Sequence, residues 1–144
     1  MRDHLPRARP PITDRERGHL EAGLAWLRDY FEGRPAAPPP LDLSAGSAFD
    51  RRVWRALLDI PFGETRTYGE LAAGLGMPGG ARAVGAANGR NPVPIAVPCH
   101  RVVAAGGRLG GYGGGLEVKR RLLAHEAGHA RALRADGRDP TAAR

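Results

Sequence analysis

The chain has one cysteine, Cys99, and it stands directly before a histidine in the run Pro98-Cys99-His100-Arg101. A thiol acts as a nucleophile through its thiolate, and a neighbouring imidazole can lower its pKa or take its proton. Adjacent side chains often point apart, so His100 is expected to work through a water as readily as by direct contact. An imidazole in that role needs a third group to fix its tautomer and stabilise the imidazolium. Two downstream carboxylates are candidates, Glu126 first and Glu117 second. Taken singly, a lone cysteine is more often a small buried hydrophobe, and a helix carboxylate more often a solvated one. The setting favours chemistry. Pro92, Pro94 and Pro98 exclude helix and central strand, and predict an extended path leading into Cys99.

A second unusual segment, ARAVGAANGR (81–90), has almost only Ala and Gly side chains around Val84, Asn88 and two arginines. A helix that packs only on a core would carry Leu or Ile. Small residues suit either tight internal packing or close approach of something bulky to the backbone. Arg82 is the one long cation on that flat surface. The whole chain carries a formal charge of +7, with 21 Arg and one Lys, Lys119. An excess of that size on a small domain favours a polyanionic partner, most often nucleic acid.

These residues need a frame. With 144 residues, the chain suits one compact domain or one plus a small annex. One Cys rules out an internal disulfide, no Cys/His spacing fits a structural zinc site, and no cofactor is expected. No apolar run is long enough to span a bilayer, and the start MRDHLPRARPP lacks the core of a secretory signal. The expected setting is the cytoplasm, with the thiol reduced, no membrane association and a monomer.

Residues 1–12 read as mobile. Thr13 and Glu16 form a capping box for a helix over about 14–33, with Leu20, Leu24, Leu27 and Phe31 at helical spacing, flanked by Trp26 and Tyr30. RPAAPPP (34–40) is a stiff connector. Ser47 and Asp50 open a second helix with Phe49, Val53 and Leu57 on one face, closing before Pro61. Thr67-Tyr68-Gly69-Glu70 opens a third, and a turn at Pro78-Gly79-Gly80 leads into 81–90, a helix-turn-helix pattern. The run 106–115 holds seven glycines, yet Leu109 and Tyr112 predict an ordered loop. A last helix over Leu116–Glu126 uses Leu116, Leu122 and Leu123, with Gly128 to end it. The Arg-rich remainder to Arg144 reads as disordered.

PCHRVV (98–103), preceded by ARAVGAANGRNPVPI (81–95) and followed by GYGGG and LLAHE (122–126), resembles the O6-alkylguanine-DNA alkyltransferase family, the methylated-DNA–protein-cysteine methyltransferases. The similarity runs from about Phe49 to Gly128, and the order of the motifs makes it highly specific. The resemblance implies that Cys99 accepts an alkyl group from O6 of guanine in duplex DNA, irreversibly and once per molecule. It implies that His100 takes the thiol proton through a water and that Glu126 orients His100. Tyr68 matches the tyrosine that donates to N3 of the base. The carbonyls of Cys99 and Val102 would accept from the exocyclic amine, and the amide of Gly113, beside Tyr112, would lie near O6. Asn91 matches the asparagine that ties the helix-turn-helix to the active-site segment. The 81–90 helix would lie in the minor groove on Gly80, Ala81, Ala83, Gly85 and Ala86, while Arg82 fills the space of a flipped-out nucleotide.

The fold implied is mainly α with a small β element: a winged-helix-like helix-turn-helix domain preceded by one amphipathic helix and a Pro-rich connector. The expected division is a shortened N-terminal region (1–46), the DNA-binding and catalytic domain (47–128) and a tail (129–144). Full-length relatives carry a strand-rich N-terminal domain, of which this chain holds at most the last helix. Some relatives also carry zinc ligands there, and those are missing, so no metal is expected. Position 113 is Gly where many relatives have a hydroxyl residue or Ala.

The alternative function is a non-catalytic sensor that binds O6-alkylguanine and recruits other repair factors. Such proteins usually replace the acceptor cysteine, which is present here. A plain helix-turn-helix regulator would need long polar side chains on its second helix. A Cys-His-Glu hydrolase would leave RAVG and the basic balance unexplained.

Overall fold

The computed structural model describes residues 10–141. Residues 1–9 of the segment read as mobile, and 142–144 of the tail, lie outside them. Five helices and a two-stranded sheet make up the described part: α1 (Asp14–Phe31), α2 (Ala48–Leu58), β1 (Arg66–Thr67), α3 (Tyr68–Gly74), α4 (Ala81–Gly89), β2 (Val102–Val103) and α5 (Leu116–Ala135). The mainly helical class with a small β element is the one expected from the sequence.

All three expected capping boxes form, at Thr13/Glu16, Ser47/Asp50 and Thr67/Glu70. Each satisfies backbone N–H groups that the first helical turn leaves without partners. On α2, Val53, Trp54 and Leu57 are buried at helical spacing and meet Leu71, Ala72, Val84, Ala87, Val97 and Val102 in the main core. Full burial of each large apolar side chain contributes about 1.5–3 kcal/mol. The Trp54 indole N–H donates to the carbonyl of Ala87 at 2.9 Å, which fixes α2 against α4. Arg90, just after α4, reaches back to Asp50 at 2.6 Å. The small residues of α4 therefore do two jobs: Val84 and Ala87 pack inward, while Arg82, Ala83 and Ala86 stay exposed.

β1 and β2 pair in parallel, Arg66 with Val102 and Thr67 with Val103. That pairing ties the start of α3 to the segment carrying Cys99. The segment itself differs from the extended path expected. The Val97 amide donates to the carbonyl of Val93 at 3.0 Å, and Ile95 has φ +73°. Proline at 92, 94 and 98 removes donors and fixes φ at its own positions only, so the chain can still fold back between them. A β-branched residue in the left-handed region costs on the order of 1–3 kcal/mol, which the surrounding packing must hold in place.

Two helices depart from the apolar patterns read from the sequence. On α1, Leu20, Leu24 and Phe31 are each more than half exposed. The helix packs instead through the aromatic flank: Tyr30 is buried against Phe62, Leu122 and Ala130, with Trp26 beside them. α5 runs through Gly128 to Ala135, so residues 129–135 are helical rather than part of a disordered tail. Gly128 keeps helical geometry there because Ala130 and Leu133 beyond it are buried, and tertiary packing outweighs glycine's weak stop signal. The buried stripe of α5 is Lys119, Leu122, Glu126, Ala130 and Leu133. Leu116, expected on the apolar face, is 49% exposed.

Candidate active site

Cys99, His100 and Arg101 form one turn of 3-10 helix between Pro98 and β2, and all three are buried. The thiol opens on a cavity of about 400 Å³ whose wall includes Tyr68, Asn88, Asn91, Tyr112 and Gly113. Burial pushes the Cys99 thiol up, while a hydrogen bond from Asn91 and the charge of Lys119 oppose that rise. At rest the thiol is therefore protonated near neutral pH, and it needs an acceptor for its proton before it can attack.

His100 is completely buried, and its Nε2 lies 2.6 Å from Oε1 of Glu126. An ionised carboxylate only accepts, so Nε2 carries the hydrogen and Nδ1 is left with a free lone pair. Among the described residues, Nδ1 has no hydrogen-bond partner. The ring is thus held in the tautomer that can receive a proton at Nδ1.

Glu126 is held from four sides. Tyr30 donates its hydroxyl to Oε1 at 2.9 Å, the Gly63 amide donates to Oε2 at 3.2 Å, and Arg101 donates through Nε and a terminal nitrogen at 2.9 Å each. Burial alone would raise its pKa. The hydrogen bonds from His100 and Arg101, with the guanidinium charge of Arg101, outweigh burial and hold the carboxyl at about 2. Glu117, the second carboxylate candidate, is exposed and paired with Arg120 and Arg121, away from this cluster.

The remaining expected residues fall into two groups. Tyr68, Asn91, Tyr112 and Gly113 line the cavity with Cys99. The Tyr68 hydroxyl lies 3.5 Å from the carbonyl of Gly111, and burial pushes its pKa up, keeping it a donor at neutral pH. Asn91 donates to the carbonyl of Val97 at 2.8 Å and accepts from the amide of Val93, pinning the folded-back segment. The carbonyl of Val102 already accepts from Lys119 at 2.6 Å, and that of Cys99 from Asn88 at 3.3 Å. Each carbonyl oxygen has a second lone pair.

The second group is on or next to α4, outside the cavity: Arg82, Ala83 and Ala86 are exposed, and Gly80 and Ala81 are half-buried. A Cβ at Gly80 would come within 2.8 Å of the carbonyl of Met77, so the turn itself requires that glycine. Gly85 differs from these: it is half-buried, lies against the Tyr68 ring and lines the cavity with Cys99.

Four residues of the site were given no functional role by the sequence: Tyr30, Asn88, Arg101 and Lys119, the last marked only as the sole lysine. Arg101 lies within the PCHR run, and its position beside His100 was the hint available for it.

Gly110 shows how closely the glycine-rich loop is fitted to Tyr68. It has φ +71°, and a Cβ there would lie 2.9 Å from the Tyr68 ring and 3.1 Å from its hydroxyl oxygen. Gly110→Ala is expected to cost about 1–3 kcal/mol through backbone strain and to displace Tyr68. Thermal denaturation should show a lowered Tm, and the tyrosine's environment should change in near-ultraviolet circular dichroism.

A buried thiol with a histidine–carboxylate pair beside it is set here against a helix-turn-helix whose second helix carries small residues. Residues 48–128 match the family described as "6-O-methylguanine DNA methyltransferase, DNA binding domain", and the chain belongs to the methylated-DNA–protein-cysteine methyltransferase family. It is 65% identical over 89 residues to the methylated-DNA–protein-cysteine methyltransferase of Mycolicibacterium paratuberculosis, covering 62% of this chain and 53% of that protein. It is 53% identical over 114 residues to the protein of the same name from Mycobacterium tuberculosis, covering 78% of this chain and 68% of that one. The crystal structure of Mycobacterium tuberculosis OGT in complex with DNA matches with a TM-score of 0.71 at 53% identity, over 75% of this chain and 66% of that one. The chain thus spans between about half and two thirds of the length of these relatives.

Proposed function

We propose that this protein repairs DNA by transferring the alkyl group of O6-alkylguanine in duplex DNA to its own Cys99. The observation that carries the reading is the Cys99 thiol opening on a base-sized cavity, with the Glu126-held imidazole of His100 next to it in the chain. In the step, Nδ1 of His100 takes the thiol proton through a water. The thiolate attacks the alkyl carbon, the S–C bond forms, and the C–O6 bond breaks with its electron pair passing to guanine. Tyr68 passes its proton to N3 of the departing base and regains one from the His100 imidazolium through solvent, so the proton lost by the thiol ends on guanine. Tyr112 and Gly113 line the cavity that would take the base, the carbonyls of Cys99 and Val102 would accept from its exocyclic amine, and Asn91 keeps the thiol-bearing segment in place. The thioether has no easy leaving group, so each molecule reacts once.

The cavity is too narrow for a duplex, so the target nucleotide must leave the stack to reach Cys99. The exposed Ala83 and Ala86, with Ala81 and Gly85, suit close contact with a minor groove, and Arg82 is the side chain that would occupy the vacated space. Binding of this kind rests mainly on phosphate contacts and should weaken steeply with salt.

The test is the intact mass of the protein after incubation with duplex DNA containing one O6-methylguanine. The expected result is a gain of about 14 Da, at most one per chain and mapped to Cys99. Tight lesion-selective binding without any mass gain would instead identify a non-catalytic sensor.

Arg82→Ala is expected to slow repair of duplex DNA by about ten- to a hundredfold, equivalent to a few kcal/mol of unstacking. Its reaction with free O6-benzylguanine should be nearly unchanged. Equal losses on both substrates would remove Arg82 from base extrusion.

A further inference from the structure

Lysine occurs once in this chain, against 21 arginines, and that lysine is completely buried. Lys119 lies on the inward stripe of α5. Its Nζ donates to the carbonyl of Val102 in β2 at 2.6 Å and to the carbonyl of Gly111 in the glycine-rich loop at 3.1 Å. It also lies 5.9 Å from the centre of the Tyr68 ring, at the start of α3. One ammonium group thus joins four elements around the cavity that holds Cys99. A guanidinium is planar, larger, and carries five donors in a fixed fork, so the surrounding arginine bias cannot supply a substitute at this point.

Burying an ammonium is expensive, and two carbonyls plus a ring face replace only part of its hydration. Burial accordingly lowers the pKa of Lys119, and an anionic Cys99 would raise it again. A neutral donor could clamp two carbonyls more cheaply, so the charge itself calls for a reason. The groups acting on the thiol supply one. Asn91 and the local backbone amides are neutral donors. Tyr68 and Tyr112 are phenols whose own pKa values are raised by burial and by the thiolate. His100, through Nε2, and Arg101, through Nε and one terminal nitrogen, are both paired with Glu126. Lys119 is the positive charge among the described residues that acts on Cys99 without a carboxylate partner in contact.

We infer that Lys119 is a positioning residue of the alkyl-acceptor site, whose ammonium fastens the glycine-rich wall to β2 and provides the fixed positive charge against which the Cys99 thiolate forms. The inference rests on the alkyl-transfer reading for why a thiolate is needed, but its tests use neither DNA nor alkylated guanine. Coupling between two titrating groups is reciprocal. With a single lysine, labelling with 13Cε-lysine gives one side-chain resonance to titrate in the unaltered protein. Capping Cys99 with methyl methanethiosulfonate should lower the Lys119 pKa by about one unit.

Conversely, Lys119→Met should shift the pH profile of Cys99 alkylation by iodoacetamide upward, with about tenfold slower reaction below the thiol pKa. Cys99 is the sole cysteine, so the reagent has one target. Should Lys119→Met fail to fold, the titration of the unaltered protein still decides. A lysine titration that ignores capping, or coincident thiol profiles in a folded variant, would overturn the inference and leave Lys119 as a clamp. Coupling in a protein that takes no alkyl group from O6-methylguanine would uphold it while refuting the repair reading.

Discussion

Replacing Glu126 by Ala should destabilise the protein by about 3–5 kcal/mol, the range for removing one partner of a buried ion pair. Truncation would leave Arg101, buried at 9% exposure, without its carboxylate, and would strip the completely buried His100 of the acceptor for Nε2. Tyr30 would lose its hydroxyl acceptor as well, and with it the polar tie between α1 and α5. The loss should be visible in urea denaturation as a lowered midpoint with little change in slope. Glu126→Gln should cost less, because an amide oxygen still accepts from Arg101 or Tyr30. It should nevertheless slow alkyl transfer strongly, since an amide does not hold His100 in the required tautomer through a charge. A Glu126→Gln variant with full transfer activity would show that His100 needs no carboxylate.

The same carboxylate gives the protein a defined acid sensitivity. In the folded state its pKa is about 2, below the ordinary value of about 4.3. A depressed carboxylate pKa stabilises the fold fully above the unfolded value and loses that contribution as pH falls through the folded value. The difference corresponds to about 3 kcal/mol, lost between about pH 4.5 and pH 2. The stability gap between the natural protein and Glu126→Gln should therefore close over that interval.

How much of this was legible in the sequence follows from what each signal encodes. Capping boxes are local, and all three were readable from residues three apart. Cys99, His100 and the small-residue helix α4 stood out because residue type alone marked them. α1 misled, because apolar spacing identifies a helix and a stripe but not whether anything covers that stripe; Leu20, Leu24 and Phe31 are exposed while Tyr30 does the packing. α5 misled in the opposite way. Its buried face includes Lys119 and Glu126, which apolar spacing does not mark, and Gly128 reads as a stop although the helix runs on to Ala135. Charged residues are buried there because their partners come from α1, the turn after Pro98 and β2, contacts separated by 17 to 96 positions in the chain. No periodicity within a single element reports such partners. The fold-back at Ile95 was hidden for a related reason: proline spacing constrains single φ angles and leaves the residue between two prolines free.

Cys99→Ser should abolish the mass gain on incubation with O6-methylguanine DNA while leaving lesion binding within about twofold, since the change removes chemistry and little contact area. Cys99 is only 5% exposed and borders the cavity beside Tyr68, while Arg82, Ala83 and Ala86 lie on the exposed face of α4 and do not line that cavity. A serine hydroxyl fits the same volume, but His100 would have to take a proton from a far weaker acid, and oxygen is a poorer nucleophile toward alkyl carbon. Transfer should fall by at least about a thousandfold, the scale on which removing a nucleophile acts in covalent catalysis. Fluorescence anisotropy with a labelled duplex would measure binding, and intact mass would measure transfer, on the same preparation. Loss of both together, in a protein that still unfolds cooperatively, would mean that Cys99 helps hold the base and that the two functions share one residue. Retained binding without transfer would separate them, leaving α4 to find the lesion and the thiol to react with it.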